Sequence, residues 1–233
     1  MDNFFIAQRE NPKTVITDDI LISQAFLFYS GGVDTTSVTL EKTTFLMTIH
    51  PEVQEKVVEE IKQVMGDREQ VEYDDLQKMK YLDATIQESL RFYPISFLID
   101  RVCNQDTTVA GIPIQSGTIV EVPVRVLHFD PKLFPEPQKF MPERFLRENS
   151  QNSGTQGFLT FGEGPKNCVG RRLATMNLQV LLVNMLRRVK LETCESTPKS
   201  LKLKPGMSFT HVTEKPLILK IVPRVWSTEL KSR

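Results

Sequence analysis

Cys168 is the residue whose surroundings best suit chemistry, in the sequence FGEGPKNCVG. Gly162, Gly164 and Pro165 before it predict a compact turn, and Gly170 after it predicts the start of a helix. A thiolate in that place would face free backbone N–H groups and the positive end of the helix, which both stabilise a sulfur anion. The pattern suits a metal ligand held in a closed loop. The alternative is an ordinary buried thiol.

The same loop can be compared with two other kinds of site. A nucleophilic cysteine needs a histidine partner. A cysteine hydrolase therefore stays open, although the histidines are all far from Cys168 in sequence, at His50, His128 and His211. A phosphate cradle of the dinucleotide type needs a further glycine where Asn167 stands, so that pattern is missing.

A second pattern, SGGVDTT, lies in the middle of a predicted helix. Gly31 and Gly32 each cost ~1 kcal/mol relative to alanine in a helix, and they leave room for a flat ligand against the backbone. Thr35 can bond to the carbonyl of Gly31 and loosen the helix locally, and Asp34 places an acid beside that hydroxyl. Proton delivery fits these residues, and so does a close helix–helix crossing with a solvated Asp34.

A third pattern combines charges from two segments. Glu88 and Arg91 are three residues apart on a predicted helix and share one face. Such pairs are usually exposed and contribute ~0–1 kcal/mol. Arg144, in the sequence PERF of a proline-rich segment, can complete a buried network of three charges that holds that segment to the helix.

The elements that must position these residues begin with a long helix. Thr17 and the two aspartates after it predict a helix start, and the helix can continue to His50, before Pro51. Residues 20–29 place apolar groups on every face, which is typical of a helix buried at the centre of a large protein. We therefore expect this helix to need more surrounding structure than the chain supplies.

Shorter elements follow, and together they predict an α+β architecture that is mainly α. The predicted elements are helices over residues 51–65 and 81–92, short strands within 95–127, a long proline- and glycine-rich loop over 129–165, a helix over 170–190 and a hairpin over 201–222.

Composition excludes several classes of function. Basic and acidic residues are equal at 29 each, with no basic stripe, so a nucleic-acid groove is not expected. The three cysteines, Cys103, Cys168 and Cys194, are widely spaced and form neither a disulfide framework nor a zinc site, which suggests a reducing compartment. The sequence shows no secretory signal and no apolar run of ~18 residues. We expect a chain that is soluble or at most peripheral to a membrane.

In this order, the segments resemble the cytochrome P-450 (haem-thiolate monooxygenase) superfamily, over about residues 15–223. The resemblance covers the C-terminal half of the family's fold and implies a single partial domain over residues 1–233. Within it, residues 15–50 would be the long oxygen-groove helix and residues 158–190 the haem-ligand loop and its helix. The sequences TIQESLRFYP and FPEPQKFMPERF resemble the microsomal members that metabolise lipophilic compounds.

The resemblance also implies roles for individual residues. Cys168 would be the axial thiolate ligand of haem iron, and Thr35 with Asp34 would guide protons to bound dioxygen. Glu88, Arg91 and Arg144 would be the family's structural triad behind the haem, and therefore fold residues. The other residues that match cofactor-binding positions are Phe161, which shields the sulfur, Gly162, Lys166, Gly170, Gly31 and Gly32. Substrate-facing positions would be Phe26, Phe28, Ile95, Phe97, Leu98 and His211.

By the same resemblance, the reaction would insert one oxygen atom from dioxygen into a lipophilic small molecule. Haem would be the cofactor, and electrons would come from an NADPH-dependent flavoprotein reductase. The alternative is a truncated haem-binding fragment, or an inert product, without turnover. The family is typically found on the cytosolic face of the endoplasmic reticulum, but we find no membrane anchor in this chain.

The chain departs from the family's pattern in three ways. Lys166 stands where an arginine usually grips a haem propionate, so the charge is kept but the planar fork is lost. Leu98 is apolar where a basic residue is frequent. We also expect the family's N-terminal half, with its anchor, its further propionate contacts and its substrate lid, to be absent.

Overall fold

The computed structural model describes residues 16–146, 157–206 and 210–226. Its helices are α1 (Asp18–Ile49), α2 (Pro51–Met65), α3 (Tyr73–Leu76), α4 (Lys80–Phe92), α5 (Val124–His128) and α6 (Arg171–Leu186). Its strands are β1 (Leu98–Val102), β2 (Thr107–Val109), β3 (Ile112–Ile114), β4 (Ile119–Pro123), β5 (Val189–Glu192), β6 (Leu203–Pro205), β7 (His211–Thr213) and β8 (Lys220–Pro223). Short 3-10 helices lie at Pro142–Phe145 and Gly164–Lys166. These elements confirm the predicted α+β class.

Local hydrogen bonds define both ends of helix α1. The side chain of Thr17 accepts a hydrogen bond from the backbone N–H of Ile20 at 3.4 Å, and two aspartates occupy the first turn. At the other end, the N–H of His50 donates to the carbonyl of Leu46, and Pro51 begins α2. The result is a single helix of 32 residues that carries the SGGVDTT pattern near its middle.

Only the second half of α1 is buried. Its residues from Val38 onwards are largely covered, whereas Phe26 and Tyr29 in the first half are 69% and 70% exposed. The apolar groups that the sequence predicts at the centre of a large protein therefore lie on the surface of this chain.

The main core lies where the second half of α1 meets α2, α4 and α6. Each of these helices contributes one apolar face, as helices packed on a common core do. Representative buried side chains are Met47 of α1, Val57 and Ile61 of α2, Leu82 and Ile86 of α4, and Leu182 of α6. The cysteine loop leads directly into α6. The packing of α6 on the core therefore also fixes the position at which the loop ends.

The strands pair as small antiparallel sheets. Strand β1 pairs with β4 and β2 with β3, which places short strands in the segment where they were predicted. In the tail, β6 pairs with β7, but β8 pairs with β5, with Ile221 opposite Leu191. The tail is therefore not one hairpin over residues 201–222. Alternation predicts that a segment is a strand but cannot choose its partner, and β5 buries Leu191 in the main core.

Some predicted segments are only partly described. Residues 147–156 of the proline- and glycine-rich loop and residues 207–209 of the tail lie outside the described residues, as do residues 1–15. In the described ranges, no helix combines the length and the apolar character that a membrane span requires.

Candidate functional site

The cysteine loop is closed by backbone hydrogen bonds. Gly162 and Gly164 have φ of 71° and 76°. This left-handed backbone favours glycine and explains why glycine occupies both positions. The N–H of Gly162 donates to the carbonyl of Leu159, and the N–H of Cys168 donates to the carbonyl of Phe161, both at 2.8 Å. The chain thus returns on itself immediately before α6.

The side chain of Cys168 is exposed, not packed in the core. The thiol therefore does not match the alternative of an ordinary buried cysteine. A β-carbon added at Gly170 would lie 3.9 Å from the Cys168 Sγ, so the helix start passes in ordinary contact with the sulfur. Phe161 is half-buried, and the Arg171 guanidinium lies 5.4 Å from the centre of its ring. Lys166 is exposed on the same loop and makes no ion pair within the described ranges.

The glycine turn of α1 has open space in front of it. A β-carbon added at Gly31 or Gly32 meets no atom within 4 Å. These glycines therefore do not mark a close helix–helix crossing in this structure. A cavity of about 410 Å³ lies between α1 and α6. It is lined by Gly32, Val33, Thr36 and Ser37 of α1 and by Met176, Asn177, Val180 and Leu181 of α6.

The polar groups beside this turn have different partners. Thr35 Oγ1 donates to the carbonyl of Gly31 at 2.6 Å, the local bond that the sequence predicts. The Asp34 carboxylate is not solvated alone, because it accepts a hydrogen bond from Thr210 Oγ1 at 3.0 Å. Thr36 Oγ1 is buried without a hydrogen-bond partner among the described residues. The cavity wall therefore carries one unsatisfied hydroxyl.

A second cavity, of about 460 Å³, lies beside the cysteine loop. Phe161 and Cys168 line it together with α3, α4 and the first turns of α6, and its charged lining residues are Lys80, Asp83, Arg171 and Arg172. Met176 of α6 borders both cavities. Helix α6 therefore links the cysteine loop to the glycine turn of α1.

The three predicted charges meet in the interior. Arg91 donates to both carboxylate oxygens of Glu88, at 2.8 and 2.9 Å, and Arg144 Nε donates to Glu88 Oε1 at 3.1 Å. Glu88 and Arg91 are fully buried and Arg144 is 5% exposed. The N–H of Met141 also donates to Glu88, and Arg144 donates to the carbonyl of Pro135. This network holds the proline-rich segment against α4.

Four of the six predicted substrate-facing residues lie close together, and the other two lie apart from them. The Phe97 ring stacks on the His211 ring with their centres 3.6 Å apart, and both the backbone N–H and Nδ1 of His211 lie within hydrogen-bond distance of the carbonyl of Ile95. Leu98 follows as the exposed first residue of β1. Phe26 and Phe28 lie apart from this group, on the exposed first half of α1.

Sequence reasoning missed His128, which it treated only as a distant histidine. The side chain is fully buried, and its Nε2 accepts a hydrogen bond from the backbone N–H of Leu159 at 3.2 Å. These residues are 31 positions apart. No local pattern could have indicated the contact.

The comparisons with known proteins now bear on this geometry. The family model "Cytochrome P450" matches residues 1–220. The chain belongs to the cytochrome P450 family. It is similar to Cytochrome P450 3A31 of Mesocricetus auratus, with 42% identity over 209 residues, 90% of this chain and 41% of that protein. It is also similar to Cytochrome P450 3A29 of Sus scrofa, with 39% identity over 214 residues, 92% of this chain and 42% of the relative.

The chain thus spans about two fifths of the length of the curated P450 relatives that it matches. The family is one of haem-dependent monooxygenases. The residues present fit such a cofactor. Cys168 is exposed at a helix start, where its sulfur could hold a haem iron. The space in front of Gly31 and Gly32 and the unsatisfied Thr36 hydroxyl agree with a flat ligand against α1.

Proposed function

We propose that this chain is the haem-binding part of a monooxygenase that inserts one oxygen atom from dioxygen into a lipophilic organic substrate. The single observation that carries the proposal is the closed loop that leaves the Cys168 sulfur exposed at the start of α6. The remaining elements support it, because α6 continues from this loop to the cavity bordered by the glycine turn of α1.

Each residue of the site has a task that follows from its contacts. Cys168 would hold the haem iron through its sulfur, and it is kept in place because its own N–H is fixed to the carbonyl of Phe161. Lys166, exposed on the loop, would supply the positive charge for a propionate. Gly162 and Gly170 would keep the loop and the helix start close to the sulfur without added side-chain bulk. When bound, the haem supplies the activation of dioxygen, to which a thiolate ligand contributes electron density.

On the α1 side, Gly31 and Gly32 would leave the backbone open to the cofactor. The Thr35 hydroxyl donates to the carbonyl of Gly31, and rotation of its side chain would release that proton toward the open space. Asp34 accepts a hydrogen bond from Thr210 and would take up a proton from solvent and pass it to Thr35. A carboxylate and a hydroxyl on adjacent residues are the groups that a short proton path requires.

Substrate and electrons would come from outside this chain. The stacked pair of Phe97 and His211, with Ile95 and Leu98 beside it, offers an apolar wall to a lipophilic substrate. Phe26 and Phe28 would offer a second, separate apolar surface on α1. Electrons would arrive from an NADPH-dependent flavoprotein reductase, as for microsomal members of the family.

A second function for this chain by itself is haem binding without turnover. It is favoured by one observation, the exposure of Phe26 and Tyr29 on the helix that carries the glycine turn. A haem-bound chain that oxidises no lipophilic substrate when reductase and NADPH are supplied would match this second function.

The test of haem ligation is spectroscopic. The full chain is titrated with haem, reduced and exposed to carbon monoxide, and we expect the red-shifted Soret band of thiolate ligation. Cys168→Ala should lose this band, whereas the matched control Cys194→Ala should keep it. Haem uptake with an unchanged band in Cys168→Ala would contradict the assignment. Labelling of Cys168 by electrophiles without any haem uptake would support a cysteine hydrolase.

A further inference from the structure

His128 lies between the buried charge network and the cysteine loop. Arg91, which is paired with Glu88, also donates to the backbone carbonyl of His128 at 2.8 Å. The imidazole of His128 has Nδ1 3.2 Å from the carbonyl of Arg91 and Nε2 3.2 Å from the backbone N of Leu159. The ring is fully buried and stacks on Phe158. One side chain therefore contacts both α4 and the first residues of the loop.

These contacts determine the protonation state of the ring. Leu159 can only donate, so Nε2 must carry the lone pair, and the carbonyl of Arg91 can only accept, so Nδ1 must carry the hydrogen. Burial and the nearby Arg91 charge both disfavour a second proton and lower the pKa of His128 to about 4. The geometry thus selects a neutral ring with one defined tautomer.

The bond to Leu159 continues into the loop that presents the sulfur. Leu159 accepts from Gly162 through its carbonyl, and Phe161 accepts from Cys168. The residue whose N–H donates to His128 is therefore also the residue whose carbonyl closes the first turn of the loop. A second tie runs in parallel, since Thr160 Oγ1 donates to the carbonyl of Leu90 in α4 at 3.3 Å.

We propose that His128 is a positioning residue for the Cys168 loop. Its neutral imidazole, with the hydrogen on Nδ1, couples the Glu88–Arg91–Arg144 network to the start of the loop and thereby fixes the orientation of the sulfur. The coupling is a property of the polypeptide. It rests on the proposed function only where haem is used as a readout.

The first experiment measures the tautomer in the full wild-type chain. Nitrogen-15 NMR of labelled histidine distinguishes a ring protonated on Nδ1 from one protonated on Nε2, and His128→Gln identifies the resonance. We expect the Nδ1–H tautomer at neutral pH. An Nε2–H tautomer, or a doubly protonated ring at neutral pH, would overturn the proposal.

The second experiment separates the two nitrogens by substitution. In His128→Gln the side-chain oxygen can replace Nε2 as the acceptor for Leu159, whereas in His128→Asn the shorter amide can replace only the Nδ1 donor. Amide hydrogen exchange is measured for residues 157–162, with α4 and α6 as internal references. Loss of one such bond should speed exchange of the Leu159 amide about tenfold in His128→Asn, with little change in His128→Gln.

The second experiment has a matched control at another histidine. His50→Asn makes the same chemical change at a half-buried histidine whose Nδ1 contacts Glu52, and should leave residues 157–162 unchanged. Equal exchange in His128→Asn, His128→Gln and wild type would overturn the proposal. Uniform loss of protection across α4 and α6 in His128→Asn would also overturn it, because the role would then not be specific to the loop.

The rate of haem dissociation gives an independent measurement of the same coupling. Haem dissociation should be about tenfold faster from His128→Asn than from wild type, with His128→Gln close to wild type. If the wild-type chain takes up no haem, the proposed function fails, while the tautomer and the exchange of residues 157–162 still decide the role of His128.

Discussion

Buried charges fall into two groups in this protein. Glu88 pairs with both Arg91 and Arg144, and backbone N–H and carbonyl groups satisfy much of the remaining hydrogen-bonding capacity of the three side chains. Removing one member of such a network leaves an unpaired buried charge and typically costs about 3–5 kcal/mol. Lys42 of α1 belongs to the other group. It is 1% exposed, and its Nζ has no hydrogen-bond partner among the described residues.

We predict that Lys42→Met stabilises the chain at pH 7. Burial, opposed in part by Glu41 and reinforced by Arg125, lowers the pKa of Lys42 from 10.5 to about 8. Below pH 8 the amine is charged in both the folded and the unfolded chain, so the fold bears the full cost of burying it. Removing the charge should therefore raise the free energy of unfolding by about 1–3 kcal/mol, measured by urea denaturation.

The pH dependence supplies the control for this prediction. Between pH 8 and 10.5 the folded wild-type chain loses the Lys42 proton while the unfolded chain keeps it, so the cost of burial falls and stability rises with pH. Lys42→Met should lack this rise, whereas Lys215→Met, at an exposed lysine, should keep it. A Lys42→Met chain that is less stable than wild type at pH 7 would contradict the account.

Among the elements, α1 joins the site to the tail of the chain. Asp34 and Glu41 are seven residues apart on one face of α1, and they accept hydrogen bonds from Thr210 and Thr213 at 3.0 and 2.7 Å. These bonds tie the helix to β7 and to the residue just before it, on both sides of the buried Thr39. Just before the first of these ties, the glycine turn keeps its open face toward the cavity shared with α6.

We predict opposite effects of alanine at Gly32 on the helix and on the cofactor. An added β-carbon meets no atom within 4 Å at either glycine, so Gly31→Ala and Gly32→Ala should each stabilise the ligand-free chain by about 1 kcal/mol. Gly32 lines the cavity between α1 and α6, whereas Gly31 does not. Haem titration should therefore show weaker binding in Gly32→Ala than in Gly31→Ala. Haem affinity equal to that of wild type in both variants would argue against a cofactor in this space.

At the same scale, contacts between near neighbours were predictable and long-range contacts were not. Thr35 with Gly31, and Glu88 with Arg91, are separated by one helical turn, so their spacing determines which groups meet. The contact between Asp34 and Thr210 spans 176 positions. Its formation depends on where β7 docks, and alternation in the tail could not reveal that β8 pairs with β5. Helical spacing could not reveal the Arg144 contact; a second arginine in the proline-rich segment suggested it, and the family resemblance implied the same triad.

Across the whole molecule, one part of the chain packs into a core and another part is exposed to solvent. The core of α2, α4 and α6 packs on the second half of α1, and the first half of α1 stands outside it. The chain spans about two fifths of the length of its P450 relatives. Global unfolding of this chain therefore reports on the core and on the buried groups attached to it, including His128.

Acid should destabilise this core through the protonation of His128. The pKa of His128 falls from 6.5 to about 4 in the folded chain, chiefly because the ring is buried. Above pH 6.5 the ring is neutral in both states and contributes no pH dependence. Between pH 6.5 and 4 the unfolded chain binds a proton that the folded chain excludes, so stability falls as pH falls, and below pH 4 this contribution stops changing.

The measurable consequence is a loss of about 1 kcal/mol in the free energy of unfolding between pH 7 and pH 5.5. Urea denaturation at these two pH values tests it. Burial raises the pKa values of Glu60 and Asp83, which favours the fold as pH falls, so the His128 contribution is the difference between wild type and His128→Gln. His128→Gln should flatten the dependence, since glutamine does not titrate, whereas His50→Asn should leave it in place. A wild-type chain with the same pH dependence as His128→Gln would show that the fold does not disfavour the protonated ring, and the tautomer inferred from its contacts with Arg91 and Leu159 would then be wrong.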